Sequence, residues 1–264
     1  MYRKQTQTTQ TAVSTETKTL NRAILHSKFS ITGETTRLNL ACNAIVNLEP
    51  DTFANLSHLD TLFLRSNKIA VLRAGVCQGL ANLREIDLYN NQLEKLEVGC
   101  LEGCANLRIL ALSTNKLTDV EAPVFEPVGA TLEILELYYN QLSALKANVF
   151  NFLRNVHTLH LHGNQIFDVD ALVFAKLPAL RCVRLSGNRL TRLDARLFKG
   201  LKTLREIDLS HNEIAELAND QFEGDDDRVS FIHSFICSYF IVMNMSLARF
   251  FFEISNDTLT LIYI

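Results

Sequence analysis

The stretch "LHLHGNQI", residues 159–166, decides how this chain is read. Taken alone it is a His-x-His pair, His160 and His162, alternating with Leu159 and Leu161. On a β-strand, residues two apart share a side, so both imidazoles would face together. Such a pair can ligate a metal or relay protons. The reading changes when the stretch is laid beside the rest of the chain. "LNLACNAI", "LFLRSNKI", "IDLYNNQL", "LALSTNKL", "LELYYNQL", "VRLSGNRL" and "IDLSHNEI" repeat its pattern. Asn falls at 43, 67, 91, 115, 140, 164, 188 and 212. The step is 24 residues, except for 25 between Asn115 and Asn140, where the extra residue falls near the loop-like "EPVGAT".

Each of the eight rows continues alike. A large apolar residue follows: Phe53, Cys77, Leu101, Phe125, Phe150, Phe174, Phe198 and Phe222. Three residues later stands Leu56, Leu80, Cys104, Val128, Leu153, Leu177 or Leu201, with Asp225 in the last row. A fixed period of this length marks a solenoid, in which each coil buries an apolar edge only against its neighbours. The L-x-L segments are predicted to be short strands stacked as a parallel sheet, with Leu pointing inward. The Asn comes where the chain leaves the strand. It is predicted to be buried, with its amide bonded to loop backbone of adjacent coils. The Phe column predicts a second apolar spine under the convex side.

From about Thr36 to Phe222 the chain resembles the leucine-rich repeat family, whose pattern is L-x-x-L-x-L-x-x-N-x-L-x-x-L-x-x-x-x-F-x-x-L. The resemblance implies an α/β solenoid, a horseshoe with a concave parallel β-sheet and an irregular or short-helical convex side. It places one domain at 23–224, with eight repeats from about residue 36. Rows such as "LREIDLYNNQL" are similar to the 24-residue type of animal extracellular proteins, including Toll-like receptors, Slit proteins, small proteoglycans and the variable lymphocyte receptors of jawless fish. That similarity implies recognition of a protein or peptide through the concave face, in a receptor or secreted protein outside the cell or at a membrane. An intracellular, cytoplasmic scaffold or adaptor of the same fold is the alternative. No catalytic activity and no cofactor are implied, and no catalytic domain accompanies the repeats.

In the family, positions flanking the inward leucines face the concave side. Carried over, the candidate ligand-binding residues are Phe63, Arg65, Asp87, Tyr89, Glu136, Tyr138, Tyr139, His160, His162, Arg184 and Asp208. Tyrosine combines contact area with a polar tip, which suits protein recognition. The stacking predicts His160 between Glu136 and Arg184, and His162 between Tyr138 and Ser186. A metal would need three or four ligands, and Arg184 sets a positive charge beside the pair. Catalysis would need a nucleophile held by a base in a closed pocket. Neither is expected. The pair reads as part of a contact surface, titrating near pH ~6.5 if unperturbed.

The remaining features bound the answer. A net charge of −3 gives no sign of a nucleic-acid partner. Six cysteines scattered through 264 residues are weak grounds for disulfides, with Cys100 and Cys104 the only close pair. Residues 1–22 carry seven Thr and three Gln in their first twenty and no apolar h-region, so they read as disordered rather than as a secretory signal peptide. Ile24, Leu25, Phe29 and Ile31 read as a rudimentary cap on the first coil. N-x-S/T sequons occur at Asn55, Asn244 and Asn256, of which Asn55 is expected on the convex side as a glycosylation candidate. The repeat breaks at "EGDDDR", and an apolar tail occupies 225–264. Its segment 229–248 has no Asp, Glu, Lys or Arg and is long enough to cross a bilayer. Three readings stay open for this tail: a transmembrane anchor, a cap folded on row eight, or a mis-joined end. The break in mid-repeat favours the third.

Overall fold

The computed structural model describes residues 19–28 and 31–215, together with the backbone of 8–10, 231–233, 250–255 and 258–263. Each of the eight rows contributes one three-residue strand: Arg37–Asn39, Thr61–Phe63, Glu85–Asp87, Ile109–Ala111, Ile134–Glu136, Thr158–His160, Cys182–Arg184 and Glu206–Asp208. These stack in row order as one parallel sheet, extended by Thr8–Gln10 at one edge and Phe231–His233 at the other. The register is unbroken. Leu38, Leu62, Ile86, Leu110, Leu135, Leu159, Val183 and Ile207 stand side by side.

Alternation along the strand explains the core. The residues at the first and second Leu positions of every row are at most 3% exposed. They pack with the Ile or Leu two residues after each Asn, from Ile45 to Ile214, into one continuous apolar cluster. Phe125, Phe150, Phe174 and Phe198 form the second spine, with successive ring centroids 6.4, 6.4 and 6.0 Å apart. Cys77 and Leu101 fill the same column in rows two and three, both buried. Phe222 lies outside the described residues.

The Asn column ties coil to coil. Asn67 accepts the backbone N–H groups of Asn43 and Ile45 and donates to the carbonyls of Leu40 and Leu64. Asn91, Asn115, Asn140, Asn164, Asn188 and Asn212 repeat the arrangement, each accepting one N–H from the preceding coil. A side-chain amide offers two donors and an acceptor, which a turn with orphan backbone groups on two coils consumes.

The 25-residue row is absorbed locally. Elsewhere three residues separate the position after the Phe column from the next inward Leu, as in Leu56 to Leu59. Here Val128 to Leu132 takes four. The 3-10 helix Ala122–Val128 runs into this point. Leu132 N–H bonds back to the Val128 carbonyl, where Leu59 N–H bonds to Leu56. The strand that follows is in register, with Ile134 opposite Ile109. Otherwise the convex side consists of turns and paired two-residue strands, such as Val71–Leu72 with Lys95–Leu96.

The N-terminal cap begins earlier than the sequence boundary at residue 23. Thr19–Leu20 pairs in parallel with Asn47–Leu48, and Leu20 is fully buried. Helix α1, Arg22–Lys28, follows, with Asn21 Oδ1 accepting the Ile24 N–H as its N-cap. Leu25 and Ile31 are buried in the core and Ile24 packs against it, while Phe29 is not among the described residues. The expected disordered stretch 1–22 thus holds ordered backbone at 8–10 and 19–22. Of the apolar tail, Phe231–His233 adds to the sheet and Phe250–Ser255 pairs antiparallel with Thr258–Tyr263. Most of the candidate span 229–248 lies outside the described residues. Among those described, no helix is long and apolar enough to cross a membrane.

Candidate functional site

The strands end on the concave side with the residue between the two inward leucines, so Phe63, Asp87, Glu136, His160, Arg184 and Asp208 lie along the last positions of the sheet. Arg65, Tyr89, Tyr138 and His162 follow two residues later. The next position is left-handed in every row, with φ between 51 and 65° at Cys42, Ser66, Asn90, Thr114, Tyr139, Gly163, Gly187 and His211. This turn lifts the side chain away from the sheet, and Tyr139 is 59% exposed. A bulky residue at positive φ is strained by contact of its Cβ with its own backbone.

The candidate residues fall into three groups rather than one. The central group is aromatic. Tyr138 and His162 stack with centroids 4.5 Å apart and planes 8° apart. Tyr139 meets both edge-on at 5.6 Å, and His160 lies 5.8 Å from His162 and 6.3 Å from Tyr138. Gly163 makes room for this packing, because a Cβ there would run into the Tyr139 ring. In rows one to three, Arg37 and Arg65 lie over the Phe63 ring at 5.2 and 5.9 Å, and Arg65 reaches Asp87 at 3.8 Å. In rows seven and eight, Arg184 pairs with Glu206 at 2.9 Å. Asp208 takes hydrogen bonds from Ser210 and Ser186, which, with Arg184 nearby, outweigh burial and lower its carboxyl.

Glu136, His160 and Arg184 do stand side by side, as the stacking predicted. The two histidines are perturbed from the ordinary imidazole value. Burial, then Arg184 and His162, push His160 down to about 4, and burial and Arg184 lower His162 too. Both are neutral at physiological pH. His162 Nδ1 is buried without a hydrogen-bond partner. Opposite shifts occur in rows three and five. Burial and Asp87 raise Glu85, burial raises Asp87 against the hydrogen bond it accepts from the Tyr89 N–H and the nearby charge of Arg65, and burial, Asp87 and Glu85 raise Glu136.

Among the described residues no three His, Cys, Asp or Glu side chains are gathered to hold a metal ion. Ser186 is engaged with Asp208, not with a histidine. Neither the polar cleft around Arg84, Arg108 and Glu133 nor the cleft around Pro123 and Lys146 includes the pair. Cys77, Cys100 and Cys104 are buried free thiols, with Cys77 and Cys104 in hydrogen-bond contact. Asn55 is exposed between buried Phe53 and Leu56. The choice of candidates missed Arg37, Glu85 and Glu206. All three occupy the position before the first inward Leu, which the alternation also turns outward, and each acts on a residue of an adjacent row or its own.

Geometry defines the class first: a solenoid of 24-residue coils with an open, polar and aromatic concave sheet. Comparison then gives the family. The leucine rich repeat profile matches residues 34–93, 130–190 and 178–224, and a two-copy profile matches 81–123. The chain belongs to the leucine-rich repeat family. No curated protein matches it in sequence. Among solved structures it is similar to the Toll–Spätzle complex of Drosophila, with TM-score 0.62, 22% identity, and coverage of 82% of this chain and 32% of that one. It is also similar to the TLR13–ssRNA13 complex, with TM-score 0.57, 24% identity, and coverage of 69% and 29%. The chain thus spans about a third of the length of either neighbour, and the likeness is one of fold.

Proposed function

We propose that this chain is a protein-recognition module whose concave sheet binds a protein or peptide ligand, as part of a receptor or secreted recognition protein. The observation that carries the reading is the cluster of Tyr138, Tyr139, His160 and His162 on an open sheet. Its rings are held in mutual contact by strands whose inward residues are locked in the core. Little conformational freedom remains to be lost on binding, which favours affinity. Rigid rings with polar tips are typical anchors of protein interfaces. The Toll neighbour is a complex with Spätzle, and this supports a protein ligand. An RNA ligand, as in the TLR13 complex, is the competing outcome. It would call for a run of cations, whereas the central rows bear Glu85, Asp87 and Glu136. On the same reading Asn55 is a site for an N-glycan, on the side away from the ligand.

The test is the triple variant Tyr89→Ala, Tyr138→Ala, Arg184→Ala, compared with wild type in quantitative affinity capture. A protein partner held by wild type and lost by the variant, at an unchanged circular-dichroism melt, supports the proposal. Partners captured equally by both, or retention of RNA alone, refutes it.

A further inference from the structure

We propose that the protein ligand of this chain carries an acidic segment, which docks on a strip of unpaired cations along the rim of the sheet in rows six to eight. The proposal rests on reading the sheet as a protein-binding surface. It adds the chemistry and the place of one contact.

The strip belongs to a second ladder, on the edge where the chain enters the strands. Its rungs stand two residues before the inward residue of each strand. Asp60, Arg84, Arg108 and Glu133 hold this place in rows two to five, and His157, Arg181 and Arg205 in rows six to eight. From Arg84 onward, the backbone N–H of each rung bonds to the carbonyl of the rung before, at 2.8 or 2.9 Å. The rungs therefore follow one another at the strand spacing, about 4.8 Å.

The two halves of this ladder differ in charge. The first four rungs neutralise one another, with Arg84 3.4 Å from Asp60 and Arg108 2.9 Å from Glu133. The last three include no acid. Arg154 and Lys202, three residues before His157 and Arg205, add to the same rim. Arg154, Arg181, Lys202 and Arg205 are exposed, and among the described residues no Asp or Glu pairs with them. Two acids near them in sequence are already engaged, Glu206 by Arg184 and Asp194 by Arg196. Arg205 Nη1 donates to the carbonyls of Lys202 and Leu204. These hold the guanidinium in place without neutralising it, and its fork has further donors to offer.

The imbalance extends through this part of the chain. Residues 171–205 contain nine Lys or Arg and one acid, Asp194, of the 26 cations and 29 acids in the whole. The rest is left with 17 cations and 28 acids. Rows three and five carry Glu85, Asp87 and Glu136 on the concave sheet. An acidic segment is repelled there and drawn to rows six to eight, which fixes the register of the ligand along the solenoid and speeds its encounter. A nucleic acid fits less well. Its bases need rings to stack on, and Arg154, Asn155, Pro178, Ala179, Lys202 and Thr203, which border the rungs, include none.

Random twelve-residue peptides displayed on phage and selected on the full chain at low salt test this. Enriched peptides are expected to carry a run of Asp or Glu. Their affinity should fall tenfold or more in the rim variant Arg181→Gln, Arg205→Gln. It should hardly change in Arg189→Gln, Arg192→Gln, which removes the same charge beyond the Asn turn, where the chain leaves the sheet. Changing the peptide's acids to their amides should cause the same loss on wild type, and little further loss on the rim variant. That arm leaves the protein untouched, so misfolding of the variant cannot mimic the result. Peptides that depend on Tyr138 but ignore the rim variant would overturn the strip and leave the protein-binding face standing. Peptides indifferent to Tyr138, His162 and the rim alike would remove the face itself. Equal losses in the two arginine variants would reduce the strip to general attraction of charge and overturn it. A uridine oligonucleotide or heparin fragment held more tightly than every selected peptide, and released by the rim variant, would overturn it in favour of another polyanion. So would no enrichment, or acidic peptides that bind only after Asp225→Asn, Asp226→Asn and Asp227→Asn in the chain's own acidic run.

Discussion

Replacing Asn164 with Ala removes one rung of the amide ladder and leaves the rest of the solenoid chemically intact. Asn164 donates to the carbonyls of Leu137 and Leu161, at 2.9 Å each, and accepts the Leu142 N–H at 3.1 Å. The two carbonyls keep a second donor, Asn140 for Leu137 and Asn188 for Leu161. The Leu142 N–H keeps none. Two lost bonds cost about 1 kcal/mol each, and a buried orphan donor about 1–3 kcal/mol more. The expected total is about 3–5 kcal/mol, which lowers the melting temperature by ~10 °C or more in a domain of this size. Asn164→Asp should cost at least as much, because a carboxylate accepts the Leu142 N–H but faces two carbonyls it cannot donate to. Asn212→Ala is the control. It removes the same contacts in the last described row, where the amide is partly exposed and water replaces them, so about 1 kcal/mol is expected. Urea unfolding followed by circular dichroism measures all three. A loss under about 1 kcal/mol in N164A, or an equal loss in N212A, would refute the claim that the ladder couples coils through burial.

Three further outcomes follow from the same geometry. Phe150→Ala empties a position 1% exposed and flanked on both sides by rings of the spine, so it should cost ~3–5 kcal/mol in urea unfolding, and more than Phe198→Ala near the end of the column. Gly163→Ala and Gly187→Ala both place a Cβ at positive φ, for ~1–2 kcal/mol. Only the first strikes the Tyr139 ring, so it should be the more damaging and should shift the Tyr139 NMR signals; equal losses would refute that. His160 should titrate at about 4 by NMR, with the midpoint rising in Arg184→Ala, and a wild-type midpoint near 6.5 would contradict the buried geometry. The folded state takes this proton less readily than the unfolded chain, whose histidine titrates near ~6.5. Its contribution to stability is therefore lost as pH falls from about 6.5 toward 4.

The solenoid was legible because its causes repeat. The inward apolar positions and the Asn recur every 24 residues with a single step of 25, so eight weak matches reinforce one another, and the spine survives Cys77 and Leu101 in place of Phe. The left-handed turn was harder to see. Gly163, Gly187 and Asn90 hint at it, but Tyr139 and Ser66 occupy the same position and suggest nothing of the kind. The N-terminal boundary failed for the opposite reason: Leu20 and Thr8–Gln10 join the fold without belonging to a row, inside a Thr- and Gln-rich stretch whose composition argues against order. At the candidate site, the columns placed the side chains, but their charge states depend on rows 24 residues away. Arg184 was readable as a neighbour of His160. That it would be tied to Glu206 while still helping to hold the imidazole neutral needed coordinates.

Tyr139 stands where the backbone favours glycine, and rows six and seven have glycine there. Tyr139→Gly would relieve the turn. It would also delete the ring that closes over Tyr138 and His162. Any effort to make this chain more robust therefore has to hold that position fixed, because the change that relieves the turn there removes part of what the scaffold displays.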